Sequence, residues 1–94
     1  MRYELRISHE ADEDLFRLPA FHRKMIATAI AEILAFEPER ESKARIKKLR
    51  QPAASIFRLR VGDYRVFYDV EESTVQIRRV LHKQECGELY GGGP

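Results

Sequence analysis

Three arginines crowd the point where the sequence turns back on itself. They lie in the stretch Phe57-Arg58-Leu59-Arg60-Val61-Gly62-Asp63-Tyr64-Arg65-Val66-Phe67-Tyr68. Gly62-Asp63, set between two alternating runs, is a two-residue hairpin signal. With that turn, Val61 faces Tyr64, Arg60 faces Arg65, Leu59 faces Val66 and Arg58 faces Phe67. Side chains alternate along a strand. Phe57, Leu59, Val61, Tyr64, Val66, Tyr68 and Val70 therefore share a core face, and Arg58, Arg60, Arg65, Phe67 and Asp69 share the other. Like charges placed opposite each other cost a sheet roughly a few tenths of a kcal/mol. A guanidinium offers a planar fork of donors that suits phosphate oxygens, so the cluster fits a phosphate site. The plainer alternative is that these side chains splay into water or pair with Asp69 and nearby acids.

The charge around this hairpin is one-sided. From Lys43 to Arg65 the basic residues are Lys43, Arg45, Lys47, Lys48, Arg50, Arg58, Arg60 and Arg65, against the single acid Asp63. Net charge over the whole chain is only +2. A local excess of this kind suggests a polyanionic partner, although a basic run is also what a solvated face looks like. Cys86 is the one cysteine. It can form neither an internal disulfide nor a thiolate zinc cage, and it reads as a small, partly buried thiol. The sequence has no metal motif, no glycine-rich phosphate loop and no Ser-His-Asp order, so no cofactor is expected.

The elements that would hold the hairpin follow from periodicity. The chain has 94 residues, enough for one domain with a modest core. Tyr3, Leu5 and Ile7 alternate with Arg2, Glu4 and Arg6, which predicts a short strand. Ser8 offers a helix cap, and Ala11, Leu15 and Leu18 form one apolar stripe. Pro19 fits the start of a second helix reaching to about Phe36, with Met25, Ile26, Ala29, Ile30, Ile33 and Leu34 on its apolar face. Residues 39–52 read as a polar, basic segment. Strands are predicted over Ile56–Val61, Tyr64–Val70 and about Thr74–His82. The expected fold is α+β: an N-terminal strand, a helical hairpin and a three-stranded antiparallel meander. The helices cover one face of a four-stranded sheet and the other face stays open. Residues 1–90 form the single domain, and the Gly-Gly-Gly-Pro tail, 91–94, is expected to be disordered. No apolar run approaches the roughly 18 residues needed to cross a bilayer. The charged N-terminus is unlike a signal peptide, so a cytoplasmic protein with no membrane partner is expected.

The hairpin stretch resembles the core signature of the RelE/ParE toxin superfamily. Lys48-Leu49-Arg50 resembles the basic lead-in of that family, and Leu81-His82-Lys83 with Tyr90 resembles its last strand and C-terminal segment. The resemblance implies a toxin of a type II toxin–antitoxin system. In its RelE branch, such a toxin is a ribosome-dependent endoribonuclease that cleaves mRNA in the A site. It implies a cognate antitoxin, the ribosome and mRNA as partners, with operator DNA reached only through the antitoxin. Position by position, Arg58 matches a basic residue that grips the scissile phosphate region. Arg65 matches the arginine that stabilises the transition state, and Tyr90 matches the tyrosine that orients or activates the attacking ribose. Two positions depart from the pattern: Ile56 stands in place of a lysine and Gln84 in place of an arginine, with Lys83 adjacent to substitute. Arg45, Lys47, Lys48, Arg50 and Arg60 would then hold RNA backbone as point charges.

The chemistry implied is attack of a ribose 2′-hydroxyl on the neighbouring phosphate, which needs no metal. Nucleases of this kind commonly use two histidines as base and acid. His9 and His22 read as surface residues beside the helices, and His82 as either a catalytic acid or a strand-end surface residue. Arg58 and Arg65 would carry the added charge of the transition state. Orientation by the ribosome would supply what the chain lacks. The resemblance leaves two further readings: a ParE-like gyrase poison without nuclease activity, and a catalytically weak member that only binds its antitoxin. An inhibitor of the arginine face should be acidic or amphipathic there.

Overall fold

The alternation at the N-terminus yields β1 (Glu4–Ile7), and the chain continues through α1 (His9–Phe16), α2 (Ala20–Ala29), β2 (Ile46–Lys48), β3 (Phe57–Val61), β4 (Tyr64–Glu71) and β5 (Thr74–His82). A π-helical turn, Ile30–Leu34, extends α2, and a 3-10 turn, Lys83–Glu85, follows β5. The computed structural model describes residues 2–51, 53 and 55–86. Tyr90 and the tail 91–94 lie outside the described residues.

The α+β class, the helical hairpin and the antiparallel meander are as the sequence predicts. The sheet has five strands in the order β1-β5-β4-β3-β2. The added strand is β2, inside the segment read as polar and basic. Only Ile46 of its three residues is buried, so no apolar alternation marks it. β1 pairs parallel with β5, Glu4 opposite Thr74 through Ile7 opposite Ile77. Open strand edges invite pairing with other chains, and here some backbone groups along each edge are already bonded. Ala35 O accepts from Tyr3 N at 2.7 Å and Ile46 O from Ser42 N at 2.9 Å. Glu41 Oε1 accepts from Lys48 N at 3.2 Å.

β1 covers only the first half of β5, and α1 runs beside the rest. Ser8 makes that junction. Its Oγ accepts from Ala11 N at 3.0 Å, capping α1, and donates to Arg78 O at 2.8 Å. Six residues on, Asp14 is buried against the free edge of β5. It accepts from Val80 N at 2.9 Å and from Arg79 Nε and Nη2 at 2.7 and 3.0 Å. Asp14 thereby fastens α1 to the sheet.

The helix-covered face holds the main core. Ile26, Leu34, Leu59, Val66, Tyr68, Val75 and Ile77 are fully excluded from solvent. Full burial of one such side chain contributes about 1.5–3 kcal/mol. Tyr68 stacks on Phe57 and donates its hydroxyl to Pro38 O at 2.5 Å, tying the segment after the helices to mid-sheet. Burial pushes its phenol pKa upward, and the charge of Glu39 adds to this.

The second face is less bare than the sequence suggests. Leu49, Phe67, Leu81 and Cys86 form a smaller buried cluster, with Ala53 packed against it. Leu49 and Ala53, in the segment before β3, and Cys86, after β5, cover part of this face. The amide of Gln51 braces the first of these, donating to Leu49 O and Ser55 O and accepting from Ala53 N.

Candidate functional site

The hairpin forms in the register read from sequence, Arg60 opposite Arg65 and Arg58 opposite Phe67. Gly62 takes a φ of +57°, a left-handed conformation that only glycine adopts freely. β2 brings Lys47 opposite Arg58, and Arg60 N donates to Arg45 O at 2.8 Å. Lys47, Arg58, Arg60 and Arg65 therefore share the second face by alternation, with Arg45 beside them. Lys48 lies opposite Phe57 and by the same alternation faces the other way. Arg50 follows β2 and is exposed.

The two central arginines are held differently. Arg65 is 7% exposed, lying over the turn with Nη1 donating to Gly62 O at 3.0 Å and Tyr64 O at 2.9 Å. Arg58 is half-buried, and its Nε is enclosed without a hydrogen-bond partner. Burial lowers the pKa of Arg58, and the neighbouring charges of Arg65 and, less strongly, Arg60 lower it further. Among the described residues, no ion pair involves Arg58, Arg60 or Arg65. Asp69, the acid that could have neutralised them, accepts from Ile56 N at 2.7 Å and from Arg78 Nε at 2.9 Å. A buried donor left unpaired costs about 1–3 kcal/mol, more for a charged group.

The remaining candidates separate. Cys86 is buried beside the arginines, its Sγ 3.6 Å from His82 O. Burial pushes the thiol pKa up, against the pull of Arg65 and Arg58. It behaves as the small buried thiol expected. Lys83 stands at the tip of the sheet, its Nζ 3.5 Å from Asp63 Oδ1 and its backbone N donating to Asp63 O. His82 does not meet the arginines. Its ring makes an edge contact with Tyr64, on the helix-covered face, and its Nδ1 accepts from Gln84 N at 3.1 Å. His22 is not a plain surface residue, since its Nδ1 shares a 2.9 Å hydrogen bond with Tyr64 Oη. His9 is exposed beside Glu13, as read. No histidine therefore joins the arginine cluster, and the arrangement can bind and stabilise negative charge without a built-in acid–base couple among the described residues.

Sequence reasoning missed the apolar cluster that presses on the arginines. Phe67, a large aromatic alone on the charged face, was the one signal of it. Leu49 and Cys86 carry no periodicity that would mark them.

The sequence from 5 to 86 matches the profile of the family described as ParE toxin of the type II toxin–antitoxin system parDE. Toxin RelE3 of Methanocaldococcus jannaschii is 35% identical over 78 residues, 83% of this chain and 88% of that protein. Toxin RelG of Mycobacterium tuberculosis is 36% identical over 87 residues, 90% of this chain and 95% of that protein. Among solved structures, the M. tuberculosis toxin–antitoxin complex RelBE2 contains a similar chain. It superposes with a TM-score of 0.73 at 33% identity, covering 87% of this chain and 99% of that one.

Proposed function

This chain belongs to the RelE/ParE family of type II toxin–antitoxin toxins, and from that premise we propose that it is an endoribonuclease that cuts mRNA on the ribosome and is silenced by a cognate antitoxin. The observation that carries the nuclease reading is the pair Arg58 and Arg65, diagonal neighbours on β3 and β4 whose charges meet, with no ion-pair partner among the described residues and with Arg58 Nε unsatisfied. Such a pair stabilises a phosphate that gains negative charge. In the proposed reaction the ribose 2′-oxygen attacks the adjacent phosphorus and loses its proton. The P–O5′ bond breaks, and the 5′-oxygen takes up a proton. The products are a 2′,3′-cyclic phosphate and a 5′-hydroxyl. Arg58 contacts the phosphate through its free donors, and Arg65 supplies charge from the turn. Preorganised donors of this kind are worth about 10²–10³-fold in rate each.

Lys47, Arg60 and Arg45 border the pair and would run along the RNA backbone, with Lys48 and Arg50 reaching it from the edge. Lys83 would assist the departing oxygen and Tyr90 would orient the attacking ribose, the roles the family resemblance implies. Geometric help from the ribosome compensates for the missing histidine couple. An antitoxin partner is supported by the similar toxin solved in its complex.

The test is a cell-free translation reaction with purified chain, mapping mRNA ends with and without ribosomes. Cleavage with 2′,3′-cyclic phosphate ends, only when ribosomes are present, is the expected result. Intact mRNA beside cleaved, gyrase-linked DNA would overturn it in favour of a gyrase poison.

A further inference from the structure

Tyr64 and Arg65 are neighbours at the start of β4 and lie on opposite faces of the sheet. By alternation the phenol of Tyr64 points to the helices while Arg65 joins the charged face. Whatever holds one of them therefore bears on the other through the backbone they share.

The two stand at the tip of the β3–β4 hairpin. Tyr64 is the last rung of the sheet on both sides, opposite Val61 on β3 and His82 on β5. The carbonyls of this tip are all taken. Gly62 O and Tyr64 O accept from Arg65 Nη1 at 3.0 and 2.9 Å, and Asp63 O accepts from Lys83 N at 2.7 Å. The tip thus sets the plane of the Arg65 guanidinium and the start of the turn that carries Lys83. A planar fork of donors meets phosphate oxygens well in one orientation, so the tip has to stay still. Strand ends and loops are nevertheless the parts of a fold that open most easily.

α2 supports the tip from the other face. His22 and Met25 lie three apart, on one side of the helix, and both reach the tip. Met25 Cε lies 3.7 Å from where a side-chain carbon on Gly62 would stand. His22 Nδ1 shares a 2.9 Å hydrogen bond with Tyr64 Oη, and the two rings meet edge-on with centroids 5.5 Å apart. The Tyr64 ring makes a second edge contact, also at 5.5 Å, with His82, whose Nδ1 caps the turn of Lys83. Two histidines thus clasp one phenol. His22 and Tyr64 are both half-buried, so water can satisfy either polar group. What their bond adds is a fixed place for the tip.

We infer that His22 is a positioning residue for Arg65, acting through Tyr64 from the opposite face of the sheet. The inference rests on the nuclease reading above, in which Arg65 carries phosphate charge. His22 itself touches no RNA. Its bond holds Tyr64, the Tyr64 carbonyl holds Nη1, and Nη1 fixes the guanidinium. Loss of the bond leaves the charge of Arg65 in place and spoils its aim. Misplacement by about 1 Å is enough to cost on the order of 100-fold in rate.

The test compares three variants with the wild type. His22→Phe keeps a ring and loses the bond, Tyr64→Phe loses it from the other side, and His22→Asn offers an amide that restores it. Each should melt within about 8 °C of the wild type, a single hydrogen bond's worth. Two readouts are taken. In proton–nitrogen NMR spectra, the Nη1 protons of Arg65 are assigned by their absence in Arg65→Met. They should be resolved in the wild type and in His22→Asn, and averaged by rotation in His22→Phe and Tyr64→Phe. In the ribosome-programmed cleavage reaction, His22→Phe and Tyr64→Phe should each lower kcat about tenfold with KM for programmed ribosomes unchanged. His22→Asn should stay within about threefold of the wild type. Added to Arg65→Met, His22→Phe should slow cleavage no further, whereas a merely structural histidine would slow both backgrounds alike. Unchanged Arg65 signals, wild-type kcat in both bond-breaking variants, or equal losses with and without Arg65 each overturn the inference and leave the nuclease reading standing. A wild type that cuts no RNA overturns the nuclease reading, and the Arg65 signals then decide the inference alone.

Discussion

Two arginines are drawn into this small protein on neighbouring strands, and they are treated in opposite ways. Arg79 on β5 meets Asp14, whose side chain is 6% exposed, through two hydrogen bonds, and Val80 N completes the carboxylate's shell. Arg65 on β4 is buried with its Nη1 on two backbone carbonyls, within reach of the charge of Arg58 and with no acid paired to it among the described residues. The first arrangement is closed, with every charge answered by the chain itself. The second is open, with no ion pair to answer its charge among the described residues. The contrast separates a fastening from a binding site without appeal to any motif. A closed ion pair weakens the fold when one half is removed, whereas an open cluster weakens function when one member is removed and can leave the fold better off.

Substitutions can break or sharpen this contrast. The largest effect is expected in the main core, on the helix-covered face of the sheet. Leu59→Asp puts a carboxylate where nothing can pair it, at a cost of several kcal/mol, roughly comparable to the whole stability of such a domain. Loss of the cooperative melt by circular dichroism is the expected reading, and a folded, soluble variant would invert the assignment of faces. Next, Asp14→Ala should cost about 3 kcal/mol in urea unfolding, the low end for a broken buried pair because Arg79 is 30% exposed and can rehydrate. A change under about 1 kcal/mol would show that the fastening is ornamental. On the open side, Arg58→Met should slow mRNA cleavage about 100-fold while the melting temperature holds or rises. A fall in stability matching that of Asp14→Ala would make Arg58 a structural residue and sink the contrast. Smallest of all, Arg78→Ala removes a half-exposed partner of Asp69. It should cost no more than about 0.5 kcal/mol, since Ile56 N still holds the carboxylate.

Much of this was legible in the sequence where the signal is local. The hairpin register followed from Gly62-Asp63 and the alternation on each side, and with it the juxtaposition of Arg60 and Arg65 and the core face through Leu59, Val66 and Tyr68. Ser8 was recognisable as a cap because the stripe of α1 begins at Ala11. The parts that stayed hidden depend on residues far apart in the chain. Nothing near Asp14 announces a partner sixty-five positions later. Leu49 and Cys86 converge on Phe67 only once the strands are paired, so the cover over the charged face had no linear trace. A three-residue β2 with two lysines looks like a solvated loop. His82 was ambiguous for a similar reason, because the face it takes depends on a register irregularity in β5 between the partners of Phe67 and Tyr68.

The parallel pairing of β1 with β5 also fixes when the protein can begin to act. β1 has no neighbouring strand until the chain has been made some seventy residues further, from Glu4 to Thr74. The cap of α1 on Arg78 and the grip of Asp14 on Arg79 and Val80 wait for the same stretch. Contacts so distant in sequence form late, after most of the loop-closure entropy has been spent. During synthesis the first third of the chain therefore has helices without a sheet to rest on, and the β3–β4 hairpin lacks its outer neighbour. A nascent chain stopped before Thr74 should be open to protease throughout. The β3–β4 hairpin that carries the arginines thus gains its second neighbour only as the last strand arrives.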